Sequence, residues 1–458
     1  MQSTERELAD PGTEPVVEPE VDSQRPAYPR FGWWLALIAA CGFGLRILVI
    51  SLSRGERVNG DGYEWSKQGN LNAAGHWFVS AFTLQPDALR PPGWAAILTV
   101  WAWMGQHDWF HQQILSCAIG TATVVMVGVV ARRLAGDRAG LLAAGIAAVY
   151  AGLWVYERAL LSEVVLLFGV SVMILLAYRF RDRPSLGGSA ALGGMCGVLA
   201  MVRSEQILVL PLLVLPLILA VKGVDLRRRI AWLALATVTM LVVVAPWTIF
   251  NLGRFQRPVL LSNGFGAAAA SGNCNLTYYG PETGYGDLHC LPLFAKGDQS
   301  VQDGEDTHTA ITYAEHHLSR VPVVLVAREG RTFGFWNPFQ QATIDAQWMG
   351  TWVGVTRLAL VSYWILLVPA VAGGVILRRR RVALYPMIAF VAIAAIAVLP
   401  TIGDVRYRAT AEIPLVLLAA VAIDALVTRT RSAAIEGPAA GGFSCRSGPT
   451  EWANNQVT

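Results

Sequence analysis

The sequence predicts an all-α polytopic membrane protein. Its hydrophobic fraction of 54% and its mean hydropathy of +0.44 exclude an ordinary soluble protein. Apolar runs of roughly 17–22 residues recur along most of the chain, and each is long enough to cross a hydrocarbon core about 30 Å thick. The formal net charge of +4 gives no broad basic field, so no nucleic-acid partner is expected.

Both ends of the chain are predicted to be disordered cytoplasmic tails. Residues 1–31 are acidic, contain proline and have few large apolar side chains. They show no basic n-region and no small-residue cleavage pattern, so they do not resemble a cleavable signal peptide. Residues 429–458 are rich in Gly, Ser and Ala. The membrane domain is predicted to occupy residues 32–428.

Arginine clusters set the predicted topology, because cytoplasmic loops of membrane proteins are enriched in basic residues. The clusters are Arg132-Arg133 with Arg138, Arg179 to Arg183, Lys222 with Arg227 to Arg229, Arg378 to Arg381, and Arg429 with Arg431. With all of them cytoplasmic, spans are expected at about 32–52, 112–131, 139–156, 163–178, 186–202, 206–221, 230–250, 356–377, 382–402 and 407–428. About ten crossings result, with both termini inside.

The segment 93–106 does not fit this scheme as a full crossing. Counted as a span, it would place Arg132-Arg133 outside and reverse the charge rule downstream. It is also short for a span. We therefore predict a re-entrant or slanted helix, with an eleven-span topology as the alternative.

This topology gives two outer loops, 53–111 with amphipathic helices and the longer 251–355, in which a further amphipathic helix is expected near 306–334. It also gathers acids and arginines at the outer ends of spans: Asp61, Glu64, Arg90, Glu157, Arg158, Glu163, Arg203, Glu205, Arg254, Asp404 and Arg406. Few ionisable residues fall at mid-span, where a charge costs about 2.5–3.5 kcal/mol or more. The pattern favours an active site at the outer membrane surface over an ion-coupled transporter.

Asp61 and Glu64 are the leading candidates for chemistry. In a helix, positions 61, 64, 68 and 71 share one face. One interpretation is a capping box, in which Asp61 accepts a hydrogen bond from the backbone N–H of residue 64. The other has Asp61 as a general base that takes a proton from an acceptor hydroxyl. Both stay open, because only one of the two acids needs to cap.

The remaining charged candidates also have two interpretations each. Glu163 begins a span, where the helix dipole favours an acid for structural reasons. Its neighbour Glu157 is expected to pair with Arg158. Each outer arginine either reaches the interface along its aliphatic stem or binds a lipid phosphate. At least one phosphate ligand is expected among five of them, Arg90, Arg158, Arg203, Arg254 and Arg406.

The long outer loop carries two cysteines, Cys274 and Cys290. If that loop is extracytoplasmic, a disulfide between them is expected. Four histidines in the same loop lack metal-ligand spacing and are expected on the solvated surface: His289, His308, His316 and His317. No cysteine spacing in the sequence resembles a zinc site, and a divalent metal ion stays an open alternative.

Several short motifs, taken in order, resemble a known family. They are Asn59-Gly60-Asp61-Gly62-Tyr63, Arg90-Pro91-Pro92-Gly93, Leu160-Leu161-Ser162-Glu163, Arg203-Ser204-Glu205 and Ala245-Pro246-Trp247-Thr248 with Asn251. Over roughly 32–428 the chain resembles the GT-C superfamily of integral-membrane glycosyltransferases. It is most similar to the bacterial glycosyltransferase family 39 branch, which is related to protein O-mannosyltransferases and aminoarabinose transferases.

The resemblance implies inverting transfer of one sugar from a polyprenyl-phosphate-linked donor to a glycan, lipid or protein acceptor outside the cytoplasm. The expected setting is the lipid of a bacterial plasma (inner) membrane. It implies Asp61 as the catalytic base, with Glu64 and Glu163 as further acidic candidates. It implies donor-phosphate binding by outer basic residues, here Arg90, Arg158, Arg203 and Arg406.

Two departures from the family pattern stand out. Protein mannosyltransferases have adjacent Asp and Glu, whereas Gly62 and Tyr63 separate Asp61 from Glu64. Aminoarabinose transferases have a lysine at the position of Arg90. A requirement for a divalent metal ion does not carry over and stays open. A lipid-linked sugar flippase and a non-catalytic membrane scaffold are the alternative functions.

Overall fold

The protein is built from helices. The computed structural model describes residues 30–56, 58–291 and 297–435. Within these ranges the regular structure is helical, apart from one isolated β-bridge between Val79 and Pro86. The prediction of an all-α membrane protein is therefore confirmed. The predicted tails, 1–31 and 429–458, lie mostly outside the described residues.

The α-helices follow one another along the whole described chain. In order they are α1 (Phe31–Leu52), α2 (Gly60–Ala73), α3 (Gly93–Trp103), α4 (Trp109–Ala135), α5 (Asp137–Val149), α6 (Ala151–Arg158), α7 (Glu163–Asp182), α8 (Leu186–Val202), α9 (Leu215–Leu219), α10 (Leu226–Asn251), α11 (Phe265–Gly272), α12 (Asn275–Tyr279), α13 (Gln299–His316), α14 (Val321–Thr332), α15 (Pro338–Met349), α16 (Val353–Arg379), α17 (Tyr385–Val398) and α18 (Ala409–Ile435). Short 3₁₀ turns at Ser204–Leu208, Leu288–Cys290 and Val405–Arg408, and a π-helical turn at Leu210–Val214, complete the helical structure.

Six of the described helices are long and apolar enough to cross a membrane. They are α1, α4, α7, α10, α16 and the helix of α18 with its preceding turn. A seventh span results if α5 and α6, which meet at a 43° bend, are counted together. The spans predicted at 186–202, 206–221 and 382–402 correspond to shorter apolar helices. Ten crossings thus remain a prediction.

The segment 204–219 is irregular because two prolines interrupt it. Pro211 and Pro216 lack a backbone N–H, so neither can donate the bond that an α-helix interior requires. The chain responds with successive 3₁₀, π and α turns. Apolar composition alone did not reveal this departure.

Helix α3 is too short to cross the membrane. Its 11 residues give a length of about 16 Å at 1.5 Å per residue, roughly half of a hydrocarbon core. It packs against α2 through Trp65, Trp94 and Leu98, and the Trp94 indole donates to the carbonyl of Leu160 at 2.8 Å. This short, internally packed helix agrees with the predicted re-entrant or slanted segment.

A buried ion pair inside the membrane domain corrects one sequence expectation. Glu157 pairs with Arg46 of α1, with Arg46 Nε 2.8 Å from Glu157 Oε1, and not with Arg158. The same guanidinium donates to the carbonyls of Ala147 and Ala148. Arg46 thus fastens α1 to the bent α5–α6 pair. A sequence pairing based on adjacency missed it because the partner is 111 residues away.

Two helical segments differ in extent from the segments predicted for them. The single amphipathic helix expected near 306–334 is two helices, α13 and α14, separated by residues 317–320. Helix α18 continues to Ile435, beyond the predicted boundary at 428. A helix does not have to end where its apolar run ends, because its backbone hydrogen bonds continue through polar residues.

The fold brings four chain segments to one end of the bundle. Helix α7 begins there at Glu163, α8 ends there just before Arg203, and the turn Val405–Arg408 leads there into α18. Helix α2 packs there against α3 and α15. Side chains far apart in sequence therefore meet at this end.

Candidate active site

Asp61 lies in the first turn of α2 and does not cap it. The N-cap residue is Asn59, and no side-chain capping bond forms there. Both Asp61 oxygens instead accept from arginines: Oδ1 from Arg90 Nη2 at 2.5 Å and Oδ2 from Arg406 Nη1 at 2.6 Å. The capping-box interpretation is therefore wrong for Asp61.

Glu64 shares Arg90 with Asp61. Arg90 Nη1 donates to Glu64 Oε2 at 2.5 Å, so one guanidinium bridges two acids that stand one helical turn apart. The group also lies over the Trp65 ring, 5.5 Å from its centroid. Arg90 precedes two prolines, which limit the backbone conformations of this loop and help to fix its direction.

Glu163 is fully buried and holds two further arginines. Its Oε1 accepts from Arg203 Nη1 and from Arg406 Nε, each at 2.7 Å, and Glu163 is 0% exposed. Arg203 also donates to Glu205 at 2.5 Å. Because Arg406 bonds to both Asp61 and Glu163, the acids and arginines form one connected network. We define this ion network as Glu64, Arg90, Asp61, Arg406, Glu163, Arg203 and Glu205.

The turn that carries Arg406 is braced from both sides. The Asp404 carboxylate accepts from the backbone N–H of Arg406 at 2.9 Å. Two residues further on, Arg408 donates to the fully buried Glu412 at 2.7 Å. Glu412 also accepts from the Tyr150 hydroxyl at 2.7 Å. These contacts hold the turn that carries Arg406 in place.

Glycine at position 62 lets α2 approach the backbone closely. A Cβ atom there would lie 2.0 Å from the carbonyl oxygen of Ala159. At Gly60 the backbone φ is +54°, a left-handed value that disfavours other residues. The motif Gly60-Asp61-Gly62 thus places one acid at the start of a helix. The glycines on either side of that acid allow the helix to pack closely against the neighbouring backbone.

The electrostatics of the site keep Asp61 ionised. Burial alone raises the pKa of its carboxyl, but the charges of Arg90 and Arg406, and their hydrogen bonds, hold that pKa well below its usual range. A second pair of acids behaves differently: burial and the nearby Asp404 raise the pKa of Asp345 well above its usual range. The negative charge of the site is therefore concentrated in the ion network.

A cavity of about 600 Å³ opens beside the network. Asp61, Arg90, Arg203 and Arg406 line one part of it. The rest is largely apolar, with side chains that include Leu89, Val202, Leu208, Phe265, Leu288, Leu291, Ile396 and Ile402. One cavity thus joins a cationic rim to an apolar wall, which suits a ligand with an anionic head and an apolar tail.

Two of the predicted arginines lie outside this cavity. Arg158 pairs with Glu56 and donates to the carbonyl of Gly350. Arg254 donates to the carbonyl of Phe78 at 2.8 Å and stacks on Phe250. Both are engaged in holding loops together. The structure therefore gathers Arg90, Arg203 and Arg406 and leaves these two out.

Three cavity residues were not selected as site candidates from sequence. Glu205 pairs with Arg203, Asp404 orients the turn, and Tyr407 lies beneath the Arg203 guanidinium at 4.9 Å. The first two were visible as outer acids. Tyr407 had no signal beyond its position next to Arg406.

The second outer loop contains a disulfide between Cys274 and Cys290, whose Cα atoms are 5.9 Å apart. No group of three or more His, Cys, Asp or Glu side chains in the described ranges could hold a metal ion. The carboxylates of the ion network are directed to guanidinium groups instead.

Comparisons with known proteins agree with this architecture. Residues 89–250 match the family model for dolichyl-phosphate-mannose-protein mannosyltransferase. That range begins next to Arg90 and includes Glu163, Arg203 and Glu205. No sequence among the curated proteins matches the chain.

Solved structures share the fold at low sequence identity. The oligosaccharyltransferase AglB from Archaeoglobus fulgidus, in complex with an inhibitory peptide and a dolichol-phosphate, aligns with a TM-score of 0.52 at 14% identity over 93% of this chain and 52% of that one. The apo form of the Archaeoglobus fulgidus oligosaccharyltransferase gives 0.51 at 13% identity, over 89% and 52%. The chain thus spans about half the length of these archaeal proteins.

A bacterial structure is also similar. ArnT from Cupriavidus metallidurans, bound to undecaprenyl phosphate, has a TM-score of 0.44 at 14% identity, over 88% of this chain and 80% of that one. The chain thus matches this mannosyltransferase family model over residues 89–250 and shares its fold with AglB.

Proposed function

We propose that this protein transfers a sugar from a polyprenyl-phosphate donor to an acceptor outside the cytoplasm of a bacterium, with inversion. The observation that carries the proposal is the placement of Asp61 and three arginines at the polar rim of a largely apolar cavity. A lipid phosphate needs both features, because guanidinium matches phosphate while apolar side chains cover the prenyl chain. AglB, whose fold is shared, was solved with a dolichol-phosphate.

The roles follow from the contacts. Arg90 and Arg406 hold the donor phosphate. Arg203, which shares Glu163 with Arg406 and also lines the cavity, is the third phosphate ligand. Asp61 takes the proton of the acceptor hydroxyl as that oxygen attacks the anomeric carbon from the face opposite the phosphate, which inverts the configuration. The bond from the anomeric carbon to the phosphate oxygen breaks, and the arginines stabilise the charge that develops on the leaving group.

Glu64 and Glu163 take supporting roles in this mechanism. Glu64 orients Arg90, and the buried Glu163 positions Arg203 and Arg406 without lining the cavity itself. A hexosyl or a pentosyl donor fits these roles equally well. The residues that we assign to the donor phosphate are therefore Arg90, Arg203 and Arg406.

The test compares wild-type protein with Asp61→Asn in membranes supplied with radiolabelled polyprenyl-phosphate sugars. The substitution keeps the shape of the side chain and removes its basicity, so transfer is expected to fall by about 10²–10⁴-fold, the usual contribution of a general base. Glu305→Gln, at an exposed acid of α13, is the control and should retain activity. Equal transfer by wild type and Asp61→Asn would contradict the base. No transfer by wild type from any donor would favour the flippase alternative.

A further inference from the structure

A second, smaller cavity of about 160 Å³ adjoins the first. The two share Trp65, Leu89, Arg90 and Pro91 as walls, and Glu64 faces the smaller one. We call the smaller cavity the polar pocket. Because Arg90 bonds to both Asp61 and Glu64, the polar pocket lies across that arginine from the cationic rim.

One face of α2 connects the two cavities. Asp61, Glu64 and Gln68 are three and four residues apart and share that face. At 1.5 Å per residue, Glu64 lies about 4.5 Å and Gln68 about 10.5 Å along the axis from Asp61. Asp61 lines the larger cavity, whereas Glu64 and Gln68 line the polar pocket. The polar pocket and the larger cavity therefore open on adjacent turns of the same face of α2, with Arg90 between Asp61 and Glu64.

The lining of the polar pocket is rich in hydrogen-bond acceptors. Gln68 is 8% exposed, and its amide nitrogen donates to Asn72 at 2.9 Å. Asp87 uses Oδ1 to accept from the Leu89 N–H and from Gln299. Among the described residues, Gln68 Oε1, Asp87 Oδ2 and Glu64 Oε1 accept no hydrogen bond from the protein. Three oxygen acceptors are thus open to a ligand that donates hydrogen bonds.

Charge and aromatic surface narrow the class of ligand. The carboxylates of Glu64 and Asp87 disfavour an anionic ligand in this pocket. The polar pocket is therefore not a second phosphate site like the cationic rim. Trp65, Phe78 and Phe82 add aromatic surface, and Phe82 as a residue is 70% exposed. Aromatic walls with a few placed polar groups are typical of small-molecule sites. A sugar ring offers hydroxyl donors at its edge and C–H groups on its faces.

We infer that the polar pocket is the acceptor subsite and that it takes a neutral sugar ring, so that the acceptor is a glycan. This inference rests on the proposed function. The acceptor hydroxyl nearest Glu64 is directed along α2 to Asp61 and loses its proton there. Its oxygen forms the new bond to the anomeric carbon, and the electron pair of the broken bond leaves with the polyprenyl phosphate. Asp61 then returns the proton to water.

The test uses the full chain in nanodiscs and two pocket variants, Phe82→Ala and Gln68→Leu. Leu84→Ala is the matched control, because Leu84 is an exposed apolar residue of the same loop that does not line the pocket. The acceptor probes are neutral hexose and pentose oligosaccharides, with a serine- and threonine-containing peptide as the competing class. We expect both pocket variants to raise the KM for a neutral oligosaccharide about tenfold, with the KM for the donor unchanged. The control should match wild type.

The outcomes separate the two proposals. If wild type consumes the donor but the pocket variants keep the wild-type KM for the oligosaccharide, or if only the peptide is glycosylated, the acceptor subsite is wrong. If no donor is consumed, the proposed transferase is wrong. Saturation-transfer NMR with the same oligosaccharides then tests the pocket without turnover: binding that Phe82→Ala weakens about tenfold supports it, and binding equal in all variants overturns it.

Discussion

Asp61 is held at both oxygens by guanidinium groups, and this limits its basicity. A carboxylate whose pKa lies well below its usual range is a weak proton acceptor. In the proposed mechanism the donor phosphate shares Arg90 and Arg406. The two arginines then donate hydrogen bonds to the phosphate in place of Asp61. Asp61 loses part of their stabilisation, and its pKa rises toward the range that a base requires. The same contacts would bind the donor and prepare the base.

The depressed pKa of Asp61 predicts how stability depends on pH. A carboxyl with a lower pKa in the folded protein stabilises the fold above its unfolded pKa of about 3.9, and that stability is lost as the pH falls through the folded value. Asp61→Asn is therefore expected to be less stable than wild type at pH 7, by about 1–3 kcal/mol for hydrogen bonds to a charged group. The difference should narrow below about pH 4.

Thermal unfolding in detergent between pH 3 and 7 measures this difference. Glu305→Gln serves again as the control, since it changes an exposed acid remote from the ion network. A gap in Tm between wild type and Asp61→Asn that stays constant across the whole range would contradict the depressed pKa.

Sequence motifs located much of the site but not its pairing. Asp61, Arg90, Glu163 and Arg203 could be singled out because they belong to short motifs, and Arg406 because it lies at the predicted outer end of a span. Which acid meets which arginine depends on tertiary contacts. Partners of Arg406 lie 243 and 345 residues away. Local spacing therefore left a helix cap open for Asp61, whereas the structure has two ion pairs there.

At the scale of elements, apolar runs predicted the long helices well and their interruptions poorly. The break between α5 and α6 occurs at Tyr150, inside a continuous apolar segment. The Tyr150 hydroxyl at this break donates to Glu412 at 2.7 Å. That partner is 262 residues away, so periodicity within the segment could not indicate the contact.

The seating of α2 gives a prediction for this element. Gly62→Ala would drive a Cβ atom into the Ala159 carbonyl, at 2.0 Å in the present geometry, so α2 must shift away from it. Asp61 then moves relative to Arg406. A displacement of about 1 Å at a catalytic group can lower a rate about 100-fold, and we expect a loss of that order in transfer.

Gly44→Ala in α1 is the matched control, because its Cβ would meet nothing within 4 Å. It should keep full transfer activity. Both variants are assayed for transfer from the same donor after their yield and Tm have been compared. Transfer by Gly62→Ala at the level of Gly44→Ala would show that the close approach of α2 does not set the position of Asp61.

At the scale of the whole molecule, the two ends of the bundle differ in charge. The ion network occupies one end. At the other, basic residues of the connections α4–α5 and α7–α8 form pairs such as Arg133 with Asp182, at 2.6 Å, and Arg138 with Asp424. Helix α4 runs from the site end to Arg132-Arg133, and α7 runs from Glu163 to Asp182. The arginine-rich end is the one expected in the cytoplasm.

This polarity predicts an orientation that chemical labelling can test. Thr83 is exposed near the site, and Gly187 is exposed at the opposite end, where an added Cβ atom would have no neighbour within 4 Å. In a background with Cys41 and Cys445 replaced by alanine, Thr83→Cys should react with a membrane-impermeant maleimide in intact spheroplasts. Gly187→Cys should react only after permeabilisation. The reverse pattern would place the site on the cytoplasmic side of the membrane. The acceptor would then have to be cytoplasmic, and the proposed transfer to an acceptor outside the cytoplasm would be wrong.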